Sequence, residues 1–221
     1  MKGALIGLKN KYIGMSAPVK AAFWFTVCSF LQRGVSMITT PVFTRLLSTE
    51  EYGLYSTYLS WESVLLIVVT LCLYKAIMNL YIKYEDQERV LSAVCGLEFT
   101  LSFIWLVIGV IFREKIGELL GLSPVLVCCL FVYFMFQAAF QCWSLYKRYV
   151  YDYRGLIIIT LLLTAGSAFF GVFAVTFITP TAEARAVSAV VVVSLIGIAL
   201  YASIFHRAKV FCPVEDRCIQ C

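Results

Sequence analysis

The chain has 221 residues, 62% of them hydrophobic and 14% charged, with a mean hydropathy of +0.89. An ordinary soluble domain carries about 25% charged residues, so this composition excludes a soluble globular protein and points to an integral membrane protein. The formal net charge of +5 reflects topology and attraction to anionic lipid headgroups, and nothing in its pattern argues for nucleic acid as a partner.

A basic leader, 1–16, precedes the first apolar stretch, 17–43, which is longer than a signal-peptide core and has no small-residue cleavage pattern behind it. It reads as a retained helix. About 20 predominantly apolar residues cross the hydrocarbon core. By that measure further spans are expected at 54–80, 90–112, 122–146, 155–178 and 186–205, followed by a tail, 206–221. The expected fold is therefore an all-α membrane bundle of about six transmembrane helices. The stretches 119–146 and 155–182 contain no Asp, Glu, Lys or Arg, whereas the second span holds Glu62 and Lys75 and the third holds Glu98.

Lys and Arg set the orientation. With the N-terminus inside, twelve of them fall on the cytoplasmic side and four, Arg45, Arg113, Lys115 and Arg185, on the external side. That asymmetry satisfies the positive-inside rule and puts both termini in the cytoplasm. Lys75, Asn79 and Lys83 follow one another at steps of four down the second span, with Lys75 placed to snorkel toward the interface.

Six of the nine cysteines, Cys28, Cys72, Cys95, Cys128, Cys129 and Cys142, lie in the spans, where a free thiol is a small apolar filler. Cys212, Cys218 and Cys221 crowd the tail, and one C-x2-C without a second pair or a histidine cluster does not make a zinc site. His206 is a helix-end interfacial residue. The loops are too short for an extramembrane catalytic domain, and no Gly-rich phosphate loop or Ser/His/Asp set is present. No enzyme, metal or cofactor is expected.

The first span is the most patterned. Thr26, Ser29, Arg33, Ser36, Thr40 and Thr44 recur at steps of three or four, which stacks them on one helix face. Phe23, Val27, Phe30 and Ile38 take the other side. A cation at mid-membrane costs roughly 2.5–3.5 kcal/mol on insertion scales, so Arg33 is expected either to line a polar lumen or to pair with Glu98 or Glu62. Ser29, Arg33, Ser36, Thr40 and Glu98 are the candidate cavity-lining residues. Weaker polar alignments run through Gln137, Gln141, Ser144 and Arg148, and through Thr160, Thr164, Ser167 and Gly171. Such residues serve equally as interhelical hydrogen-bond partners.

Pro41 lacks an N–H and loosens the first helix near its end, and Arg45 suits a helix C-terminus. Ser48 and Glu51 fit a capping box, with Glu51 expected to reach back to the cap's amide. The string 22–61, with Pro41, Thr44, Arg45, Ser48, Glu51 and Gly53 at its turn, resembles the opening of bacterial polysaccharide-biosynthesis flippases of the multidrug/oligosaccharidyl-lipid/polysaccharide exporter superfamily.

That resemblance implies two bundles of six or seven helices around a central cavity, of which this chain corresponds to the N-terminal one. It implies alternating-access transport of undecaprenyl-pyrophosphate-linked oligosaccharide repeat units across the bacterial cytoplasmic membrane, with basic cavity residues holding the anionic carrier. Arg33 is the matching cation, and the turn around Thr44 and Arg45 is a structural signature. The implied partners are the bilayer, the lipid-linked oligosaccharide, and a second bundle, a homodimer mate or polysaccharide-assembly proteins. The tail looks unlike the family, so the alternative is a truncated, non-transporting membrane fragment or an assembly partner of polysaccharide machinery.

Overall fold

A computed structural model describes residues 16–208. Most of the leader and the cysteines of the tail, Cys212, Cys218 and Cys221, lie outside the described residues. Every regular element among the described residues is helical: α1 (Ala17–Leu46), α2 (Thr49–Thr70), a 3-10 turn (Leu73–Lys75), α3 (Ala76–Lys83), α4 (Gln87–Ile111), α5 (Arg113–Leu120), α6 (Pro124–Tyr149), α7 (Tyr153–Phe177) and α8 (Ala182–Ala208).

Four helices, α2, α4, α6 and α8, begin where a side chain satisfies a free amide. Ser48 Oγ accepts from Glu51 N (3.2 Å), Asp86 Oδ1 from Arg89 N (3.2 Å), Ser123 Oγ from Leu126 N (3.4 Å) and Thr181 Oγ1 from Ala184 N (3.3 Å). Each cap supplies an acceptor for a first-turn N–H that has no intrahelical partner. At the α6–α7 turn Lys147 Nζ donates to Asp152 Oδ2 at 2.6 Å, and that bond holds the Asp152 carboxyl below its usual range.

Four helices, α4, α6, α7 and α8, are long and apolar enough to cross a membrane, or five if a bent pair counts as one span. The second span, expected at 54–80, is a bent pair of helices. Leu71 and Cys72 both take left-handed backbone (φ 49° and 51°), and the two halves, Thr49–Thr70 and Leu73–Lys83, meet at 59°. The remaining long helix, α1, has 30 residues, about 45 Å at 1.5 Å per residue, but its polar face keeps it out of the apolar set. Pro41 sits inside α1, which continues to Leu46. A short helix, α5, occupies the stretch between the spans expected at 90–112 and 122–146.

α6 is the hub, packing most extensively on α4 and α8 while α7 lies against α8 and α1 lies against α7. Two large apolar clusters follow, besides a small one of Phe43, Leu47 and Val175. One, at the end that carries the α1–α2 turn, joins Tyr55, Tyr58, Leu126, Leu130, Phe131, Phe134 and Ala186. The other, toward the opposite end, joins Ile77, Tyr81, Leu91, Cys95, Cys142, Leu200 and Tyr201. Tyr201 Oη donates to Met135 O at 2.8 Å.

Close approach of α4 to α6 depends on Gly109, whose missing Cβ would overlap the Phe131 ring. Overpacking of this kind costs about 1–3 kcal/mol, so Gly109→Ala should lower the thermal midpoint of the purified chain by several degrees. An unchanged midpoint would mean that the Phe131 ring yields without cost.

Candidate functional site: the polar face of the first helix

α1 is peripheral, and its surroundings divide it into three sectors. The side toward α7 holds the buried residues Ala21, Cys28 and Phe43, and Gln32 Nε2 donates to Thr164 Oγ1 of α7 at 3.3 Å. An exposed apolar side carries Phe23, Phe30, Met37 and Ile38. Between them runs the polar face, on which Thr26, Ser29, Arg33, Ser36, Thr40 and Thr44 are all exposed.

Most hydroxyls of that face donate back into the helix. Thr26 bonds Ala22 O (3.0 Å), Ser29 bonds Phe25 O (3.0 Å), Thr40 bonds Ser36 O (2.8 Å) and Thr44 bonds Pro41 O (3.0 Å). Their lone pairs stay free to accept, while Arg33 supplies donors and charge. Among the described residues Arg33 makes no ion pair. The face is therefore an acceptor-rich ribbon with one unpaired guanidinium half-way along it, which suits an anionic, hydroxyl-bearing ligand.

Glu98 is not part of this ribbon. Its side chain is 0% exposed, Oε1 accepts from Tyr74 N at 2.6 Å, and Oε2 accepts from Cys142 Sγ at 3.2 Å. Both the expectation that Glu98 lines a cavity and the expectation that it neutralises Arg33 are thereby corrected for this conformation. The physical reason is the break in the second span: the 3-10 turn leaves Tyr74 N–H without a carbonyl four residues back, and in an apolar interior that donor needs an acceptor. Cys142 is accordingly more than filler.

Residues 19–217 match the model of a family described as polysaccharide biosynthesis protein. The chain belongs to that family. No curated protein and no solved structure matches it. With several helices apolar enough to span a bilayer, this member of the polysaccharide biosynthesis family is a multi-pass membrane protein, and the family points to a flippase-type role.

The turn residues of this family member behave as follows. Arg45 lies in the last turn of α1, and Gly53 is exposed with nothing near its missing Cβ. Ser48 caps α2, but Glu51 does not reach back to it. Its Oε2 instead accepts from Ala182 N at 2.5 Å and ties α2 to the start of α8. The negative carboxylate there meets the positive end of the α8 dipole.

Sequence reasoning missed a second hydroxyl ribbon. Ser56, Thr57, Ser60 and Ser63 on α2 are all exposed, and Thr57, Ser60 and Ser63 bond the helix's own carbonyls at 3.0–3.1 Å. The same spacing rule that found the α1 ribbon would have found this one. Gln32, adjacent to Arg33, and Arg185 were also missed as contributors. Arg185 had been placed in a loop, yet it lies in the first turn of α8, because Thr181 caps that helix at 182 rather than where the charge-free run begins.

Proposed function

We propose that the chain is a transporting bundle of a flippase that moves undecaprenyl-pyrophosphate-linked oligosaccharide repeat units across the bacterial cytoplasmic membrane, without chemical catalysis. The observation that carries this reading is Arg33, exposed and unpaired at the middle of a 30-residue helix in a chain of the polysaccharide biosynthesis family. A guanidinium engages pyrophosphate oxygens by charge-assisted hydrogen bonds, and the flanking hydroxyl oxygens of Ser29, Ser36 and Thr40 accept from sugar hydroxyls. In this reading α1 is the sixth crossing, and the N-terminus is cytoplasmic.

A polar helix face is costly against lipid, so the ribbon is enclosed by a second bundle or a second copy of the chain. The experiment is reconstitution of the chain into vesicles with a fluorescent lipid-linked oligosaccharide, read by an impermeant glycosidase, alongside crosslinking in the membrane. Transport that accompanies a crosslinked dimer or complex is the expected result. A monomer that transports nothing and shields an engineered cysteine at position 33 from water-soluble reagents would overturn the proposal.

A further inference from the structure

At the end of the bundle opposite the α1–α2 turn, the start of α4 and the last turns of α6 and α8 enclose a cavity of about 20 Å³, lined by Glu88, Leu91, Trp143, Tyr146, Ser203 and Ile204. Leu91, Trp143 and Ile204 are buried and form its floor, Tyr146 and Ser203 are half-buried, and Glu88 is exposed and stands at its mouth. One water-sized group needs about 10–15 Å³, so the space takes one such group and little more.

The lining selects for a cation. Glu88 brings a carboxylate that makes no ion pair among the described residues, and Trp143 and Tyr146 bring π-systems that attract positive charge. Both rings are braced, Tyr146 edge-on by Tyr81 and Trp143 by Phe140, each pair 6.5 Å between centroids. The indole already draws a cation at this end, since Lys147 Nζ lies 5.7 Å from its centroid. Asp152 meets the charge of Lys147 at 2.6 Å, so that lysine leaves Glu88 uncompensated. A hard metal ion wants about six or more oxygen ligands, more than this mostly aromatic and aliphatic lining supplies. A primary ammonium matches it: the size of a water, charged, and rich in donors for Glu88 and Ser203. A trimethylammonium has a methyl in place of each N–H, which makes it too large for the space and leaves it nothing to donate.

We propose that this cavity binds a primary ammonium, seated against Trp143 and Tyr146 with Glu88 and Ser203 accepting its hydrogen bonds, as carried by an ethanolamine lipid headgroup or by a free alkylamine. The site lies at the ends of membrane-spanning helices, the depth at which headgroups and aromatic side chains meet. Arg89 and Arg148 are exposed at the same end of the bundle, where a headgroup phosphate is left when its ammonium enters the cavity. The site draws no residue from the α1 ribbon and does not depend on the ligand proposed for that ribbon.

Lipid retention by the full chain released from nanodiscs, read by native mass spectrometry, tests the site with equal amounts of phosphatidylethanolamine, its N-methyl derivative and phosphatidylcholine. Retention should fall stepwise with methylation, by about tenfold from the ethanolamine to the choline headgroup, the scale of one desolvated cation–π contact. Glu88→Gln and Tyr146→Leu should each abolish that preference, and two variants are used so that failure of one to fold leaves the other to decide. The thermal midpoint in phosphatidylcholine nanodiscs with added methylammonium chloride separates the two sources. A rise that Glu88→Gln removes, without a headgroup preference, assigns the cavity to a free amine, whereas a headgroup preference without that rise assigns it to the lipid. Equal retention of all the lipids together with no Glu88-dependent response to methylammonium would leave a water pocket and overturn the proposal. A headgroup preference that survives both substitutions would place the ammonium elsewhere and overturn it as well.

Discussion

Replacing Arg33 by Ala is expected to reduce flipping of a lipid-linked oligosaccharide by about a hundredfold while leaving protein abundance unchanged. The magnitude follows from the loss of charge-assisted hydrogen bonds to a pyrophosphate, about 3 kcal/mol in all, at 1.4 kcal/mol per factor of ten. Arg33→Lys should retain an intermediate activity, about tenfold down, since an ammonium keeps the charge but not the planar fork. Abundance is the second readout because Arg33 is exposed and makes no ion pair among the described residues, so its removal strands no buried partner. The arrangement of Glu98 sharpens the test. Had Arg33 and Glu98 been paired, removing both would have restored stability lost by removing either. With Glu98 bonded to Tyr74 N and Cys142 Sγ, the Arg33→Ala and Glu98→Ala effects should simply add. Normal flipping by well-expressed Arg33→Ala would end the assignment of this residue to ligand binding.

What could be read from the sequence was whatever depends on one helix at a time. Charge-free runs located α6, α7 and α8, because exclusion of Asp, Glu, Lys and Arg from hydrocarbon is a local property. The starts of α4 and α8 were read late for the same reason: their caps, Asp86 and Thr181, are polar and stand outside the apolar run. The α1 ribbon was legible from its period, and its residues do share an exposed face. The break at Leu71 and Cys72 was not, since two apolar residues in left-handed backbone carry no Gly or Pro signal. The partners of charged residues were equally hidden. Sequence offered Glu98 to Arg33, and it offered the Glu51 carboxylate to its own helix cap, because it cannot say which helices lie side by side.

The largest structural effect is expected at that break. In the span formed by α2 and α3 the left-handed residues remove the regular acceptor for Tyr74 N–H, and Thr70 Oγ1 takes up the neighbouring Cys72 N–H at 3.3 Å. Glu98, from α4, supplies the acceptor for Tyr74 and is wholly buried in doing so. Glu98→Ala would leave an unsatisfied N–H in an apolar interior, about 1–3 kcal/mol, and a cavity where the side chain had been, which adds to that cost. The thermal midpoint should fall by about 5–10 °C for a chain of this size. Glu98→Gln keeps a carbonyl oxygen for Tyr74 N–H and should fall much less, whereas Glu98→Leu fills the volume without an acceptor and should resemble Glu98→Ala. The contrast between Gln and Leu is therefore the measurement that matters, because it separates the hydrogen bond from packing. If Leu were tolerated and Gln were not, the carboxylate would be filling space or meeting a charge, and the bend between α2 and α3 would owe nothing to it. If Gln alone is tolerated, Glu98 is an intramembrane helix cap supplied by a neighbouring helix, and it fixes the direction in which the 3-10 turn and α3 carry Lys75, Asn79 and Lys83, all three of them exposed, away from the axis of α2.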